Sequence, residues 1–387
     1  MRASFIALVC LVLAGCASAW REPHDVGLVV ERESGSVQLV DRNVREAVAR
    51  IEGLGDLSHA SLVYSKDRRH AFVFGRDGGL SKIDLARRRV VARVVQAGNS
   101  IGGAISRDGR LVAVANYDPG GVKIFDAGSL ELLSEIPAQY GEGGRAKVVG
   151  IVDAPGNRFV FSLFEAGEIW IADASDPRQP RVQKFARAGN QPYDALITPD
   201  GRHYIAGLFG EDGLALLDLQ HPERGVRRIL EGYGRGGQKL PVYKMPHLRG
   251  WAIAGRYAFL PAVGRHEVLV VDTSDWRQIA SIAVHGQPVF VMARPDGAQV
   301  WVNFAFPRND VVQVIDTSRL DVVKTLNPGR SVLHMEFTAT GEEAWVSARD
   351  DDRVVVYDTR SFERRAEIES KNPSGIFFTW RAARYGL

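Results

Sequence analysis

Eight times along the chain an apolar strand ends on an aspartate and a short turn follows. The aspartates are Asp41, Asp84, Asp126, Asp173, Asp218, Asp272, Asp316 and Asp358, in segments such as VKIFDAG, IWIADAS, VLVVDTS and VVVYDTR. Successive steps are 43, 42, 47, 45, 54, 44 and 42 residues. A period of about 45 residues with several short strands per repeat is what stacked four-stranded blades produce, because one such sheet cannot bury both of its faces alone. The repeat therefore predicts an all-β, eight-bladed β-propeller. A second landmark keeps phase with the first. Turns of the type SRDGR (Asp108, Gly109), TPDGR (Asp200, Gly201), RPDGA (Asp296, Gly297) and TATGE (Gly341) fall between the first two strands of a repeat. Glycine there supplies the positive φ of a tight turn and aspartate caps it. The first repeat is short of strands before Asp41, and the tail GIFFTW offers one more. That tail strand is expected to complete the first blade and close the ring.

No stretch reads as a long amphipathic helix, and no linker divides the repeats. The 387 residues are 45% hydrophobic and 25% charged, with 40 glycines, which suits many tight turns. Acidic and basic residues are interspersed and the formal charge is only +3, so a nucleic-acid face is not expected. The long step holds GYGRGGQKLPVYKMPHLRG, residues 232 to 250, and long ordered loops of this kind are usually functional.

The N-terminus, MRASFIALVCLVLAGCASAW, has an early Arg2, a short apolar run and a small-residue end, which reads as a secretory signal. Its LAGC segment resembles the bacterial lipobox. On that likeness residues 1–15 are a lipoprotein signal peptide, Cys16 is the lipidated first mature residue, 16–25 are a tether, and 26–387 are the propeller. The resulting expectation is a periplasmic lipoprotein held to the membrane through its N-terminal lipid only. Both cysteines, Cys10 and Cys16, lie in this leader, so the body offers no disulfide, no thiolate nucleophile and no C-x-x-C-H haem attachment.

Loops that lead into the inner strands of a propeller ring one mouth of its central channel, and polar residues there converge although they lie a full repeat apart. His59, His247 and His334 are candidates by this criterion. Arg76, Arg145, Lys147 and Arg294 are expected at the same level, where inward guanidinium groups would take a carboxylate. Asn116, Tyr117, Tyr193 and Asp194 could supply hydrogen bonds. Each of these, taken singly, also reads as an ordinary turn or packing residue. No G-x-S-x-G, H-E-x-x-H, P-loop or full dinucleotide fingerprint is present.

The stretch SHASLVYSKDRRHAFVFGRDGGLSKIDL, with GSLELLSEIP, GEIWIADAS, VLHMEFTATGEEAWVS and NPSGIFFTW, resembles the haem d1 domain of the cytochrome nitrite reductases along nearly the whole body. The resemblance implies eight blades and a tetrapyrrole ligand, haem d1 or dihydro-haem d1, held non-covalently in the propeller mouth. It implies His59 as proximal ligand to the iron and Arg76 as partner of a macrocycle carboxylate, with Arg145 and Lys147 as further candidates; Asn116, Tyr117, Arg294 and His334, named above by position, would be further contacts to the ligand. His247 would be distal, and His247, Asp153, Tyr193 or Asp194 could act as acid or base. The family's cytochrome c domain is missing, and Arg294 stands where a second distal histidine is expected, which argues against nitrite reduction. What remains is a late step of haem d1 biosynthesis in denitrification, as enzyme or as carrier. Expected partners are NirN, the haem d1 nitrite reductase and a further copy of the chain. A cofactor-free propeller that serves as a periplasmic scaffold for other proteins is the alternative.

Overall fold

The computed structural model describes residues 26–232 and 252–386. These form eight four-stranded antiparallel sheets and one two-stranded hairpin. Strands are numbered β1 to β34 along the chain. Blade II consists of β4 (Ser61–Tyr64), β5 (His70–Phe74), β6 (Gly79–Asp84) and β7 (Arg89–Val95), from the channel outward. Blades III to VIII repeat this order, with inner strands β8 (Asn99–Ile105), β14 (Val148–Ala154), β18 (Pro192–Ile197), β22 (Ala252–Ala254), β26 (Pro288–Ala293) and β30 (Val332–Phe337). Blade I is assembled from both ends of the chain. Its order is β3 (Glu46–Ile51), β2 (Ser36–Asp41), β1 (Val26–Glu31) and β34 (Pro373–Phe378), so the C-terminal strand is innermost, as the sequence predicted.

The repeat aspartates sit at the ends of third strands for one local reason. Each carboxylate accepts a backbone N–H two or three residues ahead, as in Asp41 to Asn43 (2.8 Å), Asp126 to Ser129 (2.8 Å) and Asp316 to Ser318 (2.9 Å). This Asx geometry nucleates the turn to the outer strand. The Asp-Gly turns between first and second strands carry Gly109, Gly201, Gly297 and Gly341 at φ of 73° to 76°, where a side chain would be strained.

Middle strands are buried on both faces, and aromatic side chains fill the wedges between blades. Trp301 of blade VII packs edge-on against Phe337 of blade VIII at 5.7 Å. Trp345 of blade VIII meets Phe378 of blade I at 5.2 Å and 90°, across the seam where the ring closes. A polar clasp reinforces the seam. Glu31, fully buried, receives Arg50 through both Nε (2.7 Å) and Nη2 (2.9 Å), the Lys371 N–H (2.9 Å) and Ser36 Oγ (2.8 Å).

Candidate functional site

Inner strands start at one mouth, called upper here, and run down the channel. Six of them leave the ladder in their first half. Register shifts fall between Ser100 and Gly102, Val149 and Val152, Pro192 and Ala195, Pro288 and Val291, and Val332 and Met335, and where β34 meets β1. A bulge turns a side chain that the pleat would send into the blade. Of the skipped residues, all but Val289 line one cavity in the upper channel: Ile101, Gly150, Ile151, Tyr193, Asp194, Phe290, Leu333, His334, Ser374 and Gly375, together with His59, Ser61, Phe377 and Arg32. Its volume is about 330 Å³. Groups freed by the bulges find partners in the second strands. Asn303 accepts the Phe290 N–H (2.8 Å), Ser347 Oγ accepts that of His334 (2.8 Å), and Tyr204 donates to the Gly150 carbonyl (2.9 Å). The channel lining is thus fixed by buried polar contacts.

His59 is exposed at the mouth on the loop that leads into β4, and that loop is tied down at several points. Leu54 and Leu57 are buried, Asp56 caps the Ser58 N–H (2.8 Å) and accepts the Arg76 N–H through its carbonyl (2.8 Å), and the Arg32 guanidinium donates to the Ser58 carbonyl. Arg76, on the turn between β5 and β6, is exposed, and its guanidinium makes no ion pair within the described residues. Its charge faces Tyr117 and Tyr193, whose hydroxyls share a 2.7 Å hydrogen bond. Burial pushes both phenols up, so they stay protonated at neutral pH. Phe164 and Phe209 pack on Tyr193 at 5.8 and 6.0 Å. Lys147 lies over Phe164 at 5.5 Å and is paired with Glu165 at 2.6 Å.

His334 stands deeper. Its ring stacks on Phe377 at 5.6 Å and 29°, and Phe290 meets it edge-on at 5.7 Å. Burial, then the Arg381 charge, pulls its pKa down to about 3, so it is neutral. Nδ1 accepts the Ile376 N–H at 3.2 Å, which assigns the ring proton to Nε2. In this tautomer His334 can donate a hydrogen bond into the cavity, and neither nitrogen offers a free lone pair to a metal.

Other candidates are placed differently. Arg294 is not at the level of Arg76. It follows β26, its turn lies at the opposite, lower mouth, and its guanidinium is held by Asp296 (2.7 Å). Asp153 lies toward the lower end of β14, where Oδ1 accepts the Gly386 N–H (2.8 Å), and burial raises its pKa. Asn116 is buried within blade III, its amide closed in reciprocal bonds with Gln96 (2.8 and 3.1 Å), and it does not line the cavity. Arg145 sits on the β12–β13 hairpin (Gln139–Tyr140 and Gly144–Arg145), exposed, 3.9 Å from Glu135. His247 and Cys16 lie outside the described residues. Among the described residues no cluster of three or more His, Cys, Asp or Glu could hold a metal ion by itself.

Sequence reasoning missed Arg32, Ser61, Phe290, Phe377 and Arg381. Ser61 is informative because its Oγ is buried in the cavity wall without a partner among the described residues. A side chain at Gly102 would come within 3.0 Å of it. Flat aromatic and aliphatic walls, bare glycine backbone, an orphan hydroxyl, one imidazole at the rim and cationic groups around it suit a planar apolar ligand that carries carboxylates and a metal needing one axial donor.

The chain matches the family described as "Cytochrome D1 heme domain" over residues 21–382. It is 59% identical to Protein NirF of Pseudomonas aeruginosa over 384 residues, 98% of each chain. It is 56% identical to Protein NirF of Stutzerimonas stutzeri, over 99% of this chain and 98% of the relative. Among solved structures it is similar to "Dihydro-heme d1 dehydrogenase NirN in complex with DHE", with a TM-score of 0.81 and 28% identity over 93% of this chain and 76% of that one.

Proposed function

Because the chain belongs to the cytochrome D1 haem domain family, and within it to the NirF proteins, we propose that it binds haem d1 or dihydro-haem d1 at a late step of haem d1 biosynthesis. The observation that carries this reading is the upper cavity itself, an apolar slot with His59 at its mouth and the Arg76 guanidinium on the same rim. A tetrapyrrole is here the substrate or cargo. His59 supplies the axial nitrogen to its iron, and Phe290, Phe377 and Leu333 face its apolar body. Arg76 and Arg32 meet its carboxylates, and His334 donates Nε2–H to an acceptor on its edge. Tyr117 and Tyr193 remain protonated and act as donors.

The chain's own groups divide the labour between holding and transferring protons. Asp194, turned into the cavity by the β18 bulge, is the carboxylate placed to take a proton from the ligand. The same cavity serves to pass the tetrapyrrole on to NirN and the haem d1 nitrite reductase. The leader supports an exported chain anchored in the periplasm through a lipid on Cys16.

Arg76→Ala tests the rim. Removing one charge-assisted hydrogen bond from an exposed rim weakens affinity by about tenfold. An equilibrium titration of the full chain with haem d1, followed by tryptophan fluorescence, is expected to show that weakening with an unchanged melting temperature. Equal affinity in both proteins removes Arg76 from the site.

A further inference from the structure

The channel does not run open from mouth to mouth. After β34 the chain makes a short 3-10 turn, Thr379–Ala383, and crosses beneath the inner strands as far as Gly386. Lys66 Nζ holds the Ala382 carbonyl (3.1 Å), Arg107 holds that of Ala383 (2.9 Å), and Trp380 Nε1 donates to the Phe337 carbonyl (3.0 Å). Below this floor lies a separate cavity of about 280 Å³.

The chemistry of the lower cavity differs from that of the upper one. Three guanidinium groups face it, those of Arg107, Arg381 and Arg384, against one carboxylate, Glu336. Arg381 and Glu336 are 7% and 2% exposed and stand 3.4 Å apart, yet Arg381 Nε and Glu336 Oε2 both lack a hydrogen-bond partner among the described residues. Arg384 lies over the Trp380 ring at 4.6 Å and Arg107 over Tyr385 at 4.5 Å. Neither has a carboxylate within ion-pair distance among the described residues. Ile253, Met292 and Leu196 make the remaining wall apolar. Guanidinium groups placed over aromatic rings, with a buried Arg381 N–H that makes no hydrogen bond behind them and apolar wall beside them, are complementary to a planar carboxylate on an apolar body.

We propose that the lower mouth is a second ligand site, one that takes an organic monocarboxylate. Its carboxylate lies between Arg107 and Arg384 and faces Arg381, and its apolar part lies on Ile253, Met292 and Trp380. The site does not depend on what the upper cavity holds. The nearest bound anion would stand one side chain away from that cavity, because Arg381 lines both.

Benzoate is the probe, titrated into the full chain by calorimetry, with benzamide as its uncharged counterpart. Saturable benzoate binding is expected at a Kd of about 1 mM or tighter, with none for benzamide. Arg107→Gln/Arg384→Gln should weaken it by about tenfold or more, and Arg107→Lys/Arg384→Lys, which keeps charge but loses the planar fork, should fall between. Arg76→Ala should leave it unchanged. Benzamide binding as tightly as benzoate overturns the proposal. So does a Gln double variant that retains both its fold and its benzoate affinity, or an affinity abolished in Arg76→Ala instead, which would place the anion in the upper cavity.

Discussion

Glu31→Ala will destabilise the folded chain by about 2 kcal/mol or more, the cost of leaving several donors at a buried carboxylate without their acceptor. Nothing catalytic is touched by this change. Glu31 ends β1 beside the seam, and its carboxylate collects groups from three separate parts of the chain: Arg50 of β3, Ser36 of β2, and Lys371 and Ser370 just before β34. Truncation leaves a half-buried guanidinium and a backbone N–H without acceptors at the point where the first and last strands must meet. Burial alone would raise the Glu31 pKa, but the Arg50 contact and the hydrogen bonds outweigh it and hold it below the ordinary value of 4.5. A lowered carboxylate pKa means stability that is present above pH 4.5 and lost as the pH falls through the folded-state value. Glu31→Gln should keep the Lys371 contact and lose less. Urea melts at pH 7 measure both. A loss under about 1 kcal/mol for the alanine variant would mean that the β1–β34 ladder and the Trp345–Phe378 contact close the ring unaided.

Glu336→Gln will make stability rise with pH between about 4.5 and 6.5 much more steeply than in the wild type. Two buried groups at the channel floor titrate in opposite senses. Burial raises Glu336 from 4.5 to about 7 against the opposing charges of Arg381 and Arg384. Burial, with Arg381, lowers His334 from 6.5 to about 3. For Glu336 the folded state holds the extra proton, so its contribution falls as pH rises from 4.5 to 7. For His334 the unfolded state holds the extra proton, so its contribution is complete above 6.5 and is lost as pH falls toward 3. Each slope is about 1.4 kcal/mol per pH unit, and in the wild type they offset one another across the shared window. Glutamine removes one slope and leaves the other, a change of about 3 kcal/mol over the window. His334→Gln should show the reverse, a stability that declines with pH. Neighbouring Asp153 and Lys66 titrate in all three proteins and drop out of the difference. Parallel profiles for wild type and Glu336→Gln would show that the floor is hydrated in solution and that neither pKa is displaced.

The propeller was legible because its signals are local. An aspartate that caps its own turn, and a glycine that must adopt positive φ, are written into a few adjacent residues and recur with each blade. The closing strand was legible because the first repeat lacked one. The lining of the cavity was legible only in part: His59, Tyr193, Asp194 and His334 stand out by their places at inner-strand entries, but bulges answer to tertiary packing, and nothing in PVFVMA marks Phe290 as a residue turned out of the ladder toward the channel. The misplaced level of Arg294 has a different cause, the turn on which it sits. Its RPDGA turn is of the kind that ends an inner strand, whereas Arg76 lies on the turn between second and third strands, at the opposite mouth. The floor was illegible for another reason. TWRAARYGL has no regular periodicity, and only the meeting of Arg381 with Glu336, far apart in sequence, shows that the tail crosses the channel.

The most direct test of tetrapyrrole binding through His59 is a visible-absorption titration of the full chain with dihydro-haem d1, run beside His59→Ala. The wild type should give a saturating spectral shift. The variant should give altered bands that added imidazole restores, because the free ligand replaces the lost axial nitrogen. A shift that is identical in both proteins would contradict iron ligation by His59, and no shift in either would contradict tetrapyrrole binding altogether.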